Sequence, residues 1–397
     1  MMNATRKEKE MPEQSKYQKP KGSYISFMSN KVKEFGGINL AQGIPGFEPP
    51  KELTHILSGI AKSQIHQYAP GNGNNELLEL LVEKYSKEYN NICDKITFSK
   101  DDFLITQGGT EALSLLYIYF SKIIPKPFSA LAFDPVYESY KYLPEIFNTG
   151  FVSFSFEKDA SVDFNKLEKT CVVNNVKVIF LGSPGNPYGR IWTKNEVDSL
   201  IALSKKLDFF IVLDAVYKEL YYGQKPYVPL NQLNPNLFYT SSFSKLFSVT
   251  GWRIGYLIAH TDHMSEIKAI HDYTGLCAPS VLQQAIVEYL KISEFGKAYI
   301  HELRIKLAEG YNHLSSELID LGFSIPETKG GYFVWAKLPN EYTDGFSFAI
   351  DLYDEQKVAV IPGEHFSDKA RNYVRFNIAQ EKQELEEGIK RIKKFFE

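Results

Sequence analysis

The stretch "SSFSKLFSVTGWRIGY", Ser241 to Tyr256, places one lysine, Lys245, among small hydroxyl residues, with Arg253 following on the same segment. It is bounded by two apolar runs, "LFYTS" (237–241) and "WRIGYLIA" (252–259). Such runs read as buried strands, so the lysine falls near a strand end in apolar, serine-lined surroundings. Burying an ammonium there costs free energy unless the chain uses the uncharged amine.

The same pattern repeats upstream. "FLIT" (103–106) leads into "QGGTEALSLLYIYF", a Gly turn opening a helix, and "SALAF" (129–133) leads into "DPVYESYKYL". "VKVIFL" (176–181) precedes a Pro/Gly loop and the helix "TKNEVDSLIALSKKL", and "FFIVL" (209–213) ends at Asp214. Strand, loop and helix in repetition predict an α/β fold with a mostly parallel central sheet covered by helices on both faces. Past residue 290 the character changes. A long helical stretch precedes short strands around "GYFVWAKL" and "YVRFNI", and the chain ends in "QEKQELEEGIKRIKKFF". There Leu385, Ile389, Ile392 and Phe396 fall at helical spacing. The expected organisation is a flexible tail over 1–22, a large domain over 46–292, and a smaller α+β domain built from 23–45 and 293–397.

Composition narrows the function classes. The chain has 397 residues, long for one core, with 44% hydrophobic and 23% charged residues. A formal net charge of −3 gives no electrostatic case for a nucleic-acid surface. Cys93, Cys171 and Cys277 are too few and too scattered for a disulfide framework or metal cluster, and point to a reducing compartment. The first residues lack the apolar core of a signal peptide, and no apolar run is long enough to span a bilayer. A cytoplasmic protein without a membrane partner is the expectation.

In open α/β sheets, ligands bind beyond the carboxyl ends of the strands. At those ends stand Gly108, Gly109 and Thr110, whose turn can cradle a phosphate, or can be an ordinary Gly turn. Asp214 reads as a helix N-cap or as an acid that needs a partner, and Asn186 as a turn residue or a donor. Tyr137 and Tyr217 read as packed aromatics or as ring contacts, and Ser242 and Arg253 as strand-end groups or anion ligands. Together with Lys245 they make up what pyridoxal phosphate chemistry needs: a phosphate cradle, an aromatic plate, an acid and a reactive amine.

"SPGNPYGR", "DAVYKEL" and "SSFSKLFSVTGWRIGY" resemble the class I/II aminotransferases of the fold-type I pyridoxal-phosphate enzymes. "INLAQGIPGFEPP" and "HQYAPGNGNNELLELL" are similar to that family too, particularly its kynurenine/glutamine and methionine branch, and the likeness runs from about residue 38 to the end. The resemblance implies that Lys245 forms the Schiff base with pyridoxal 5'-phosphate and shuttles a proton. It implies that Asp214 keeps the pyridine nitrogen protonated, that Asn186 and Tyr217 donate to the ring's 3-oxygen, and that Tyr137 stacks on the ring. Ser242, Arg253, Gly109 and Thr110 would hold the phosphate, and Tyr68 would reach the phosphate of a neighbouring subunit in a homodimer. Arg375 would grip the substrate α-carboxylate, with Gly43 and Asn186 beside it. Asn186–Pro187 and Asp134–Pro135 fall where the family often has cis peptides.

The sequence also departs from this branch. Thr110–Glu111 stands where some kynurenine-type members have Tyr–Gly, and "YTGLCAPS" (273–280) holds no arginine for a distal carboxylate. The resemblance therefore implies an aminotransferase moving the amino group of an L-amino acid (methionine, aromatic, kynurenine or glutamine) to a 2-oxo acid by a ping-pong mechanism. The alternative is a β-lyase of cysteine conjugates or cystathionine on the same scaffold. A transcription regulator with an aminotransferase-like sensor would need a DNA-binding domain in front, and the N-terminal residues show no helix-turn-helix pattern.

Overall fold

The computed structural model describes residues 17–63, 65–90 and 98–397. Residues 1–16 of the expected tail and Cys93 lie outside the described residues. Tyr17 hydrogen-bonds Asp351, and Lys19 pairs with Glu364 at 2.5 Å, so the start of the described chain is tied to the C-terminal part.

The strands are β1 (Ile38–Asn39), β2 (Phe103–Thr106), β3 (Ser129–Asp134), β4 (Gly150–Ser155), β5 (Val176–Gly182) and β6 (Phe210–Asp214). They continue with β7 (Leu237–Ser242), β8 (Gly255–Ala259), β9 (Phe333–Lys337), β10 (Val358–Ala359), β11 (Ile361–Pro362) and β12 (Tyr373–Asn377). Seven of them form one sheet in the order β2-β8-β7-β6-β5-β3-β4. Only β8 runs against the rest, pairing antiparallel with both β2 and β7. A mostly parallel sheet is buried on both faces, and the strands show how. Ile105, Leu131, Ile179, Leu213 and Tyr239 pack in one apolar cluster, while their neighbours Leu104, Ala130, Phe180, Val212 and Phe238 pack in another. The two-residue period of the pleat sends alternate side chains to opposite layers.

A third cluster joins β9 and β12 to the C-terminal helix Lys382–Phe395, and takes in Met28, Leu40, Ala41 and Phe47 from the N-terminal part. Leu385, Ile389 and Ile392 form the buried stripe of that helix. Phe396 lies just past the helix end and packs on the cluster from a partly buried position. In the small sheet of this region β12 is central, pairing with β9 and β11, and Arg375 stands opposite Trp335 and Ile361.

The first helices along the chain are α1 (Tyr24–Phe35), α2 (Lys51–Ile60), α3 (Asn75–Asn90), α4 (Gly108–Ile123) and α5 (Glu138–Ile146). α4 opens directly after β2, with Gly108 at φ +81°, a conformation that favours glycine. β8 crosses this turn closely: a Cβ on Gly255 would lie 2.7 Å from the Gly108 carbonyl carbon. The strand that runs against the sheet thus fixes the height of the Gly108 turn. We expect Gly255→Ala to push the two backbones apart and lower stability by about 1–3 kcal/mol, the usual cost of overpacking. Gly251→Ala, where a Cβ meets nothing within 4 Å, should stay within about 0.5 kcal/mol. Urea-unfolding midpoints of the two variants check this.

Candidate active site

The carboxyl ends of β2, β5, β6 and β7 surround a cavity of about 210 Å³. Its wall includes Gly43, Gly109, Thr110, Tyr137, Asn186, Asp214, Tyr217, Ser242, Lys245, Arg253 and Arg375, so all the site residues expected from the sequence meet here except Gly108, which adjoins it, and one other. Tyr68 does not: it stands 81% exposed on the surface. Asn186–Pro187 and Asp134–Pro135 are both cis.

Asp214 ends β6 and is followed by a turn rather than a helix, so it is not a helix cap. It is buried, and receives hydrogen bonds from the Tyr140 hydroxyl at 2.7 Å and the Val216 N–H at 3.2 Å. Burial pushes its carboxyl above the ordinary range, and these two neutral donors only partly counter it. Among the described residues no cation forms an ion pair with it. Tyr140 is itself clamped, stacked on Phe180 at 5.1 Å and edge-on to Tyr137 at 5.4 Å.

Lys245 lies in the short helix Phe243–Leu246 that comes after β7. Its Nζ donates to the Gly43 carbonyl. Burial, with the Arg375 and Arg253 charges nearby, pushes its amine down to about 8. Ser242 caps this helix: its hydroxyl accepts from Ser244 N–H and donates to the Ile254 carbonyl, both at 3.0 Å. The neighbouring Ser244 hydroxyl is buried with no partner among the described residues.

Arg253 takes a left-handed conformation at φ +56° and donates to the Thr250 and Gln107 carbonyls at 2.9 and 3.0 Å. Its guanidinium lies against Gly108, where a Cβ would be 2.5 Å from Nη2. Arginine and the first N–H groups of α4 therefore share one corner of the cavity, a positive corner suited to an anion. Glu111, which with Thr110 departs from the kynurenine-type pattern, does not line the cavity; it accepts from Gln107 N–H and lies 3.5 Å from His271 Nε2.

Arg375 is 1% exposed and sandwiched between the rings of Phe333 at 4.0 Å and Phe366 at 4.7 Å. It donates to Asn186 Oδ1 at 2.8 Å and to the Ala41 carbonyl at 2.6 Å, while its Nε has no partner among the described residues. Burial pushes it down to about 10. The bond to Asn186 Oδ1 leaves the amide nitrogen of Asn186 as the free donor. Tyr217 is buried edge-on against Tyr332 and Phe333, and burial raises its hydroxyl above the ordinary value.

Residues 36–392 match the family model for aminotransferase class I and II. The chain belongs to that family. It is therefore an aminotransferase, its cofactor is pyridoxal phosphate, and its substrates are an amino acid and a 2-oxo acid. It is 28% identical to a probable aspartate aminotransferase of Methanocaldococcus jannaschii, over 91% of this chain and 93% of that one. It is 27% identical to a probable N-acetyl-LL-diaminopimelate aminotransferase of Bacillus subtilis, over 90% and 88% of the two chains. The aspartate aminotransferase of Thermus thermophilus with maleate shares the fold, with a TM-score of 0.86 over 94% of this chain and 97% of that one, at 22% identity.

The cavity of this aminotransferase fits its cofactor on grounds of its own. A buried acid lacks a counter-cation, which a protonated pyridine would supply. A buried hydroxyl on Ser244 lacks a partner beside the positive corner at α4, which a phosphate would supply. Sequence reasoning missed Ser244, Tyr140, Phe333 and Glu138, all in the cavity wall. For Tyr140 a signal existed, since it stands three residues after Tyr137 on one helix face. No helix of the described residues is long and apolar enough to cross a membrane.

The depressed Lys245 amine makes stability depend on pH. Its folded value lies below the unfolded one, so the unfolded chain binds more protons between the two and stability rises with pH there. In the cofactor-free protein, Lys245→Met should be more stable than the parent at pH 7. That advantage should shrink as pH climbs from about 8 towards the unfolded value of about 10.4. Chemical denaturation across this range measures it.

Proposed function

We propose that the chain transfers the amino group of an L-amino acid with an uncharged side chain (methionine, an aromatic residue, kynurenine or glutamine) to a 2-oxo acid by a ping-pong mechanism. The observation that carries this reading is the placing of Lys245, a lysine with a depressed amine, in one cavity wall with an unpaired buried acid and an unsaturated buried arginine. The cofactor, when bound, supplies an aldehyde carbon that condenses with amines and a ring that takes up the electron pair left when the substrate's Cα–H bond breaks.

In this reading Asp214 holds the proton on the ring nitrogen, and the Tyr140 and Val216 hydrogen bonds favour its carboxylate form and aim it. The amide N–H of Asn186 and the hydroxyl of Tyr217 donate to the ring's 3-oxygen, and Tyr137 covers the ring face. The N–H groups at Gly109 and Thr110, the Ser242 and Ser244 hydroxyls and Arg253 hold the phosphate. Arg375 presents a planar fork to the substrate α-carboxylate, its orientation fixed by Asn186, the Ala41 carbonyl and the two flanking rings. The substrate carboxylate satisfies donor capacity that the protein leaves open, and Gly43 contributes its backbone alongside. Lys245 Nζ takes the proton from the substrate Cα. An amine near neutrality can both accept and return it, an action worth typically about 10²–10⁴-fold. Tyr68, exposed and outside this cavity, supports a homodimer in which each chain completes its neighbour's site.

Adding one amino acid to the cofactor-loaded protein, with no acceptor present, should yield one equivalent of 2-oxo acid and the amine form of the cofactor. Failure with every common amino acid would overturn the reading. Tyr140→Phe removes one of two donors from Asp214, so its carboxyl should rise further and grip the ring nitrogen less well. The loss of a hydrogen bond to a charged group should lower kcat about 10–100-fold. Cofactor retention on dialysis should weaken with it, while the far-ultraviolet circular dichroism stays that of the parent.

A further inference from the structure

The cavity wall carries three cations, Lys245, Arg253 and Arg375, and two acids, Asp214 and Glu138. The proposed function gives a task to every one except Glu138. This carboxylate opens α5, next to Tyr137, and its side chain keeps 25% exposure. Oε2 accepts from the Ser23 hydroxyl at 3.1 Å and lies 2.8 Å from His365 Nε2. Oε1 has no hydrogen-bond partner among the described residues. The position is rigid: His365 is stacked under Tyr24 at 5.6 Å and edge-on to Phe366, the ring that flanks Arg375. Ile25, two residues after Ser23, completes the wall beside it.

We infer that Glu138 sets substrate selectivity, turning away amino acids and oxo acids that carry a second carboxylate and favouring neutral side chains, above all those that offer an N–H donor. Once Arg375 holds the α-carboxylate, Arg253 the phosphate and the Lys245 amine works at the substrate Cα, no cation in this wall remains for a second carboxylate. Such a group would meet a fixed negative charge with one oxygen unpaired, and like charges at close quarters in a partly enclosed site repel strongly. A side-chain amide or aromatic amine would instead meet an acceptor that lacks a donor. This assigns the chain a selectivity different from that of the relatives named for aspartate. It rests on the proposed function, because it needs Arg375 to hold the α-carboxylate.

The test compares kcat/KM for aspartate and glutamate with that for methionine and glutamine in the cofactor-loaded protein. Calorimetric affinities for the unreactive acids succinate and butyrate run in parallel. The parent should favour the singly charged member of each pair by at least about tenfold. Glu138→Gln, which keeps the shape and removes the charge, should narrow each ratio by about tenfold, and Glu138→Asp should keep it. A parent that prefers the dicarboxylates would overturn the inference, and that measurement needs no variant. So would an unchanged ratio in Glu138→Gln. If no amino acid reacts at all, the proposed function fails instead, and the succinate-to-butyrate ratio in the parent and Glu138→Gln still decides what Glu138 does.

Discussion

The constraint on which the structure turns is the burial of charge without its partner. Among the described residues Asp214 has two neutral donors and no counter-cation beneath the strand ends, and Arg375 lies enclosed with one nitrogen unsatisfied. Removing such groups from water is costly, and a folded chain tolerates the cost only where a ligand later supplies the missing charge or acceptor. The cavity is therefore a set of unfinished pairs. Its charges are also ordered: an anion-seeking corner at α4 and Arg253, a cation-seeking acid at the end of β6, and a second anion-seeking group on β12. A ligand with a phosphate, a basic ring nitrogen and a carboxylate-bearing substrate is complementary to all three at once.

The backbone sets the spacing of these poles. Parallel strands deliver Asp214 and Ser242 to one edge in register, Asp214 pairing with Thr240 across β6 and β7. β8, the strand of opposite sense, returns Arg253 to the Gly108 turn. Glycine at 108 and at 255 lets two backbones and a guanidinium pack where any Cβ would intrude. The positive corner is thus made by close approach, and its geometry belongs to the sheet rather than to a mobile loop.

Much of this was legible in the sequence, because buried parallel strands announce themselves. "VKVIFL" and "FFIVL" are continuous apolar runs since both faces of β5 and β6 are covered. What escaped was partly exposed or indirect. β4, "GFVSFS", is an edge strand with mostly half-covered side chains, so it lacks the unbroken apolar signature. Tyr140 stands three residues after Tyr137, but that spacing does not reveal that its hydroxyl reaches Asp214, 74 residues further along the chain. Glu138 looks like any helix-opening acid. Its place in the cavity depends on His365 and Ser23, far away in the chain, and one-dimensional pattern cannot report such a meeting. Lys245 was legible for the opposite reason, since its surroundings are local.

The large sheet and the C-terminal part of the chain meet on one short piece of backbone. Lys245, from the segment after β7, donates to the Gly43 carbonyl, and Arg375, from β12, donates to the Ala41 carbonyl. Asn377, two residues further along β12, holds the carbonyls of Gln42 and Ile44 at 2.7 and 2.8 Å. Successive carbonyls of residues 41–44 are thus read by side chains from different parts of the fold. Neither part alone fixes the distance between the Lys245 amine and the Arg375 guanidinium. That distance is set through the four shared carbonyls, and the close packing of Gly43 on the Phe333 ring, where a Cβ would sit 2.9 Å from the nearest carbon, leaves this segment little room to move. Phe333 also forms one face of the Arg375 sandwich, so a displacement of Gly43 would reach the fork by two routes, through the Ala41 carbonyl and through the ring. The relative position of the amine and the arginine is consequently over-determined, as catalysis by orientation requires.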